Sequence, residues 1–122
     1  MIGFKKKLPI DDVLDELIIS MQKYNHAVLQ APPGAGKTTR IPVALLDSDL
    51  YQKKIIMLQP RRLAVRSAAS RLAKHYGDQL GQTVGYRMRG ESRTSKITRI
   101  EVVTEGVLIK MIQNDPELNG ID

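Results

Sequence analysis

The stretch Gln30-Ala-Pro-Pro-Gly-Ala-Gly-Lys-Thr-Thr-Arg40 decides how this chain is read. It follows a short apolar run, His26-Ala-Val-Leu-Gln30, and opens a segment with helical spacing. A loop between a strand and a helix wraps a polyphosphate when successive backbone N–H groups point inward, and glycine lets the backbone turn and approach. The following helix adds the positive end of its dipole. Gly34 and Gly36 supply the backbone freedom, Lys37 a charge for the outer phosphates, and Thr38 a hydroxyl suited to Mg2+. The pattern is Gly-x-x-x-x-Gly-Lys-Ser/Thr with Ala31 at its first position. That residue ends the strand and needs no positive φ, so alanine can serve.

Toward the N-terminus, Ile10, Val13, Leu14, Leu17, Ile18 and Met21 repeat at the spacing of one helix face, with acids in the first turn. The helix after the loop runs from Gly36 or Lys37 to about Asp47, with a bend expected at Pro42. Lys54–Gln59 reads as a second buried strand closed by Pro60. A helix follows from Arg61 to Tyr76, with Leu63, Ala64, Ala68, Leu72 and Ala73 inward and Gly77 ending it. Thr83–Arg89 and Arg99–Val103 read as further strands with a charged loop between them. The last helix begins near Thr104 or Glu105, and Asp115-Pro116 stops it. Short apolar strands alternating with helices predict an α/β fold, a mainly parallel sheet flanked by helices. Ligands of such sheets bind beyond the carboxyl ends of the strands, where residues 31–38, 59–62 and 104–106 all fall.

The 122 residues suit one modest core. Cysteine is absent, which excludes disulfides and thiolate metal sites and fits a cytoplasmic setting. No apolar run approaches the length of a membrane span, and no signal-peptide pattern follows Lys5-Lys6-Lys7. The net charge of +6 is as compatible with solubility as with a polyanionic partner. Its distribution favours the partner: arginines gather at 61, 62, 66 and 71 and at 87, 89, 93 and 99, while the acids Asp11, Asp12, Asp15 and Glu16 cluster early. With one Phe, four Tyr and no Trp, base stacking is a poor binding mode, so the backbone of a nucleic acid is what would be held.

The second strand narrows the field. Gln59-Pro-Arg-Arg-Leu-Ala64 sets two arginines at a helix start, where they oppose the helix dipole by about 0.3–1 kcal/mol each. A solvated pair at a strand end competes with an anion-meeting pair. Ala31–Thr39, Gln59–Ala64 and Thr104-Glu-Gly106 resemble motifs I, Ia and Ib of the DEAH-box helicases, most closely their bacterial HrpB branch. Val84-Gly-Tyr-Arg-Met-Arg89 resembles that family's Val-Gly-Tyr-x-x-Arg segment. The similarity runs from about Leu8 to the C-terminus.

The resemblance implies a P-loop NTPase (RecA-like) fold, here incomplete, over residues 9–122 with residues 1–8 as an N-terminal extension. It implies that ATP and Mg2+ are held by Pro33, Gly34, Ala35, Gly36, Lys37, Thr38 and Thr39, with Thr38 on the metal. Arg71 matches the arginine that stacks on adenine, although a solvent-facing helix arginine competes for that position. The resemblance also implies that Arg61, Arg62, Arg89 and Thr104 face the backbone of single-stranded RNA or DNA. The Asp-Glu-x-His motif, the Ser-Ala-Thr motif and a second RecA-like domain with its arginine finger are not in this sequence. The expectation is therefore a truncated piece of an ATP-dependent RNA helicase, with no catalytic residue of its own, weak nucleotide binding and no hydrolysis. The alternative is a stand-alone P-loop nucleotide-binding protein or kinase with a basic substrate face. A kinase needs its own catalytic acid and a lid, and neither is legible here.

Overall fold

A computed structural model describes residues 8–32, 34 and 36–122, so nearly all of the expected N-terminal extension lies outside it. The chain divides into two compact units, Met1–Leu50 and Tyr51–Asp122.

The first unit is helical among its described residues. A 3-10 helix over Pro9–Val13 leads directly into α1 (Leu14–Lys23). The entry turn closes reciprocally: the Leu8 amide donates to Asp11 Oδ2 at 2.7 Å, and the Asp11 amide donates to the Leu8 carbonyl at 2.9 Å. The expected apolar face is present but only half-buried along α1, with Ile10 its one buried member. α2 (Lys37–Asp47) continues through Pro42, whose missing N–H removes the bond to the Thr38 carbonyl. The expected strand His26–Gln30 is not one: this segment pairs with nothing among the described residues, and Val28 is 100% exposed. Apolar residues alone cannot make a strand, because ladder hydrogen bonds need a neighbour.

The second unit contains β1 (Ile55–Leu58), α3 (Arg62–Tyr76), β2 (Val84–Met88), β3 (Glu91–Arg93), β4 (Ile100–Val103) and α4 (Glu105–Asn114). The sheet order is β1-β4-β2-β3. β4 is parallel to both β1 and β2, so Leu58, Val103 and Arg87 come into register at one carboxyl edge. β3 is antiparallel to β2 across the short turn Arg89-Gly90. The sequence Glu-Ser-Arg carries no apolar alternation, which is why it reads as loop. On the other edge of β1 the Lys54 amide donates to the Gly120 carbonyl at 3.1 Å, and the Asp122 amide donates to the Lys54 carbonyl at 2.9 Å.

Strand alternation divides the sheet into two faces. Val84, Tyr86, Met88, Ile100 and Val102 form a buried set on the face toward α3. From α3 come Val65, Ala68, Ala69, Leu72 and Ala73. Leu63, expected inward, is 80% exposed. It lies about 200° around the helix from Val65, and the packing face follows the spacing that begins at Val65. At Gly85 an added Cβ would sit 2.3 Å from the Arg93 carbonyl oxygen, so β3 approaches β2 where no side chain intervenes. Gly85→Ala is expected to destabilise the chain by about 1–3 kcal/mol through overpacking. Urea denaturation, with the midpoint falling at constant slope, measures it.

Not all the basic residues face outward for a partner. Arg99 donates through Nε and Nη2 to the Lys53 carbonyl at 3.2 and 3.1 Å, and through Nη2 to that of Tyr51 at 3.0 Å, tying down the entry to β1. Glu101, buried in β4, pairs with Lys54 Nζ at 2.8 Å and lies 4.0 Å from Arg87 Nη1.

Candidate nucleotide and nucleic-acid sites

In the first unit the glycine-rich loop ends in Gly36, which caps α2 with φ +102°. A side chain there fails twice: the backbone is left-handed, and a Cβ would lie 2.6 Å from Leu8 Cδ1 and 3.0 Å from Ile10 Cγ2. Gly34 has φ +80° with open space around it, so its requirement is conformational. Lys37 Nζ donates to the Ala31 carbonyl at 3.1 Å, closing the base of the loop with one of its three donors. Thr39 Oγ1 donates to the Gly36 carbonyl at 3.3 Å, while the half-buried Thr38 makes no side-chain hydrogen bond among the described residues. An ion pair of 3.6 Å between Arg40 and Asp11 ties the first turn of α2 to the 3-10 helix. Pro33 and Ala35 lie outside the described residues. A loop with two left-handed glycines, an ammonium across its base and an uncommitted hydroxyl at a helix start fits a polyphosphate and its Mg2+.

In the second unit the carboxyl edge of the sheet gathers Arg61, Arg62, Arg89 and Thr104. The register of β1, β4 and β2 brings their following residues to the same edge, where the Gln59 amide also donates to the Val103 carbonyl at 2.9 Å. Arg61 is the N-cap of α3 in extended conformation, and Thr104 is that of α4; neither side chain caps its helix. Arg61 and Arg89 are exposed and make no side-chain hydrogen bond or ion pair among the described residues. Arg62 differs, since its Nη1 donates to the Arg89 carbonyl at 2.8 Å. Arg71 is exposed along α3, also without a side-chain partner among the described residues.

Sequence reading missed a polar cluster beside this edge. Arg66 Nη2 donates to both Glu91 carboxylate oxygens at 2.6 Å, and the Tyr86 hydroxyl donates to Glu91 Oε2. The Tyr86 hydrogen bond, followed by that of Arg66, holds the Glu91 carboxyl below its ordinary range, and the Glu91 bond raises both Tyr86 and Arg66. A carboxyl depressed in the folded state stabilises the fold above its ordinary value of 4.5. That contribution is lost as pH falls through the depressed value. The urea-midpoint difference between the parent chain and Glu91→Gln is therefore expected at neutral pH and to close in acid. Only the residue types, Tyr86 and Glu91 five apart across a Gly-containing turn, hinted at it.

A hollow of about 730 Å3 lies between α4 and the sheet, with Glu101 in its wall between Lys54 and Arg87. Among the described residues no group of three or more His, Cys, Asp or Glu could hold a metal ion, and no helix is long and apolar enough to cross a membrane.

The chain is 50% identical over 114 residues to the ATP-dependent RNA helicase HrpB of Escherichia coli, a match covering 93% of the chain and 14% of that protein. A crystal structure of the E. coli DEAH/RHA helicase HrpB superimposes with a TM-score of 0.89 at 48% identity, covering 94% of the chain and 15% of the crystallised one. The chain corresponds to a stretch of a DEAH-box helicase of the HrpB kind. The ATP-dependent RNA helicase HrpA of Borreliella burgdorferi is 39% identical over 117 residues, again spanning 14% of the relative. No family model matches the chain. The mostly parallel sheet with its flanking helices is the RecA-like architecture of these DEAH-box neighbours.

Proposed function

We propose that the chain binds ATP through the 31–39 loop and grips the phosphate backbone of a single RNA strand along the edge bearing Arg61, Arg62, Arg89 and Thr104. The observation that carries this reading is the gathering of two arginines without side-chain partners among the described residues, Arg61 and Arg89, at one carboxyl edge of a sheet whose relatives bear the name ATP-dependent RNA helicase. Phosphate contacts of this type bring affinity and orientation with little sequence information. DNA presents the same backbone charge, so a single DNA strand belongs to the same proposal.

Gly34 and Gly36 shape the cradle, Lys37 meets the β- and γ-phosphates, and Thr39 braces the loop through the Gly36 carbonyl. The Thr38 hydroxyl is the ligand offered to Mg2+, which when bound neutralises phosphate charge. Arg71 is the proposed contact to the adenine face, by cation–π stacking. A second RecA-like domain, as the resemblance implies, supplies the other wall of the nucleotide pocket. Within these 122 residues no Asp-Glu-x-His run exists to orient a water, so binding without turnover is the proposed behaviour of the chain. A cytoplasmic setting is part of the same reading.

Parallel titrations of the chain with ATP–Mg2+ and with single-stranded RNA and DNA of equal length test the proposal. Saturable binding of nucleotide and of a single strand supports it. Binding of neither overturns it.

A further inference from the structure

Glu91 raises a question of sign. It places a carboxylate beside an edge proposed to hold phosphates, where bare charge would repel the ligand. Its surroundings suggest a different use. Arg62 and Arg66 are four residues apart, so they stand one turn apart on the same side of α3. Arg62 holds the carbonyl of Arg89 at 2.8 Å, and Arg66 holds the carboxylate of Glu91 through both oxygens at 2.6 Å. From the strand side the hydroxyl of Tyr86, itself 3% exposed, bonds the same carboxylate. The Met88 and Glu91 backbones pair across the turn, and Gly90 at φ +80° completes it. The two-residue turn Arg89-Gly90 is thus fixed on both flanks by one helix, while the Arg89 side chain is exposed with no partner of its own among the described residues. Arg66 also offsets the charge of Glu91.

We propose that Glu91 is a positioning residue: gripped by Arg66 and Tyr86, it pins the Arg89-Gly90 turn to α3 and so presents the Arg89 guanidinium to a backbone phosphate. This rests on the reading of the edge as a single-strand grip. Without the pin the turn samples other conformations, and apparent affinity falls with the fraction that remains competent.

The test is single-stranded RNA binding by fluorescence anisotropy, in the full chain, for Glu91→Gln, Tyr86→Phe, Arg89→Ala and Glu91→Gln/Arg89→Ala. Thermal melts followed by circular dichroism check folding, and Tyr86→Phe keeps the ring in the core should Glu91→Gln fold poorly. Charge counting says that removing an acid tightens RNA binding. The pin says the opposite: Glu91→Gln weakens it about threefold if about a third of the turns remain competent. Tyr86→Phe weakens it in the same direction, and amide exchange at Arg89 and Gly90 accelerates in both. In the Arg89→Ala background Glu91→Gln adds no further loss. Tighter or unchanged binding in Glu91→Gln while Arg89→Ala weakens it overturns the positioning role and leaves the grip standing. Additive losses in the double variant overturn it as well. Unchanged binding in Arg89→Ala alone removes the grip at this turn, and the presenting role with it.

Discussion

Arg61→Ala/Arg62→Ala is expected to weaken single-stranded RNA binding about tenfold or more at low salt, with a shallower salt dependence. Each phosphate contact to a single strand adds about 0.7 to the slope of log affinity against log salt. Two equal contacts would remove about 1.4 from that slope. The structure argues for an unequal pair. Arg61 caps α3 with no side-chain partner among the described residues, while Arg62 already holds the Arg89 carbonyl. Arg61→Ala alone should therefore remove a slope of about 0.7, as one direct contact would. Arg62→Ala should act partly by releasing the turn that carries Arg89, a loss of affinity that salt does not restore. Anisotropy titrations across a salt series separate the two. Equal affinity of the double variant and the parent chain would remove the grip from this edge.

Lys37→Ala is expected to raise the dissociation constant for ATP–Mg2+ by about tenfold to a hundredfold. That range corresponds to losing charge-assisted hydrogen bonds worth about 1.5–3 kcal/mol. The ammonium spends one donor on the Ala31 carbonyl at 3.1 Å, which sets it across the loop base with donors remaining for phosphate. The substitution removes both the charge and that closure, so the loop should also exchange its amides faster. Calorimetric titration measures the affinity, and the parent chain should itself bind weakly when one wall of the pocket comes from elsewhere. Phosphate release should stay at background in both. Tight binding unaffected by Lys37→Ala contradicts the phosphate loop, and robust Lys37-dependent turnover contradicts binding without hydrolysis.

Local patterns were legible where one physical requirement dominates. Gly36 is needed because α2 starts from a left-handed residue, and Gly77 ends α3 with φ +69° for the same conformational reason. The helix starts and stops at Lys37, Asp47, Tyr76 and Asn114 agree with caps and breakers visible in the sequence. Pairing was less legible. His26–Gln30 has a strand's composition and no ladder among the described residues, whereas Glu91–Arg93 has a loop's composition and a ladder supplied by β2. Leu63 followed the helical spacing on paper, yet the face of α3 is set by the sheet it covers.

By itself the sequence carried the proposal for the chemistry of the two candidate sites, because glycine, lysine, threonine and arginine at these spacings have few other uses together. It determined most of the alternation of helix and strand, since periodicity is a local property, but not His26–Gln30 or Glu91–Arg93. Only the tertiary structure decided which arginines are bonded within the fold. The sequence shows arginines at 61, 62, 66, 71, 87, 89, 93 and 99 as one basic population. The fold sorts them: Arg99 ties a strand entry, Arg87 lies beside buried Glu101, Arg66 holds Glu91 and Arg62 holds a turn. That leaves Arg61, Arg71, Arg89 and Arg93 exposed without a side-chain partner among the described residues, of which Arg61 and Arg89 lie at the proposed edge. A guanidinium bonds whatever acceptor the fold brings within about 3 Å, and that neighbour comes from residues distant in sequence.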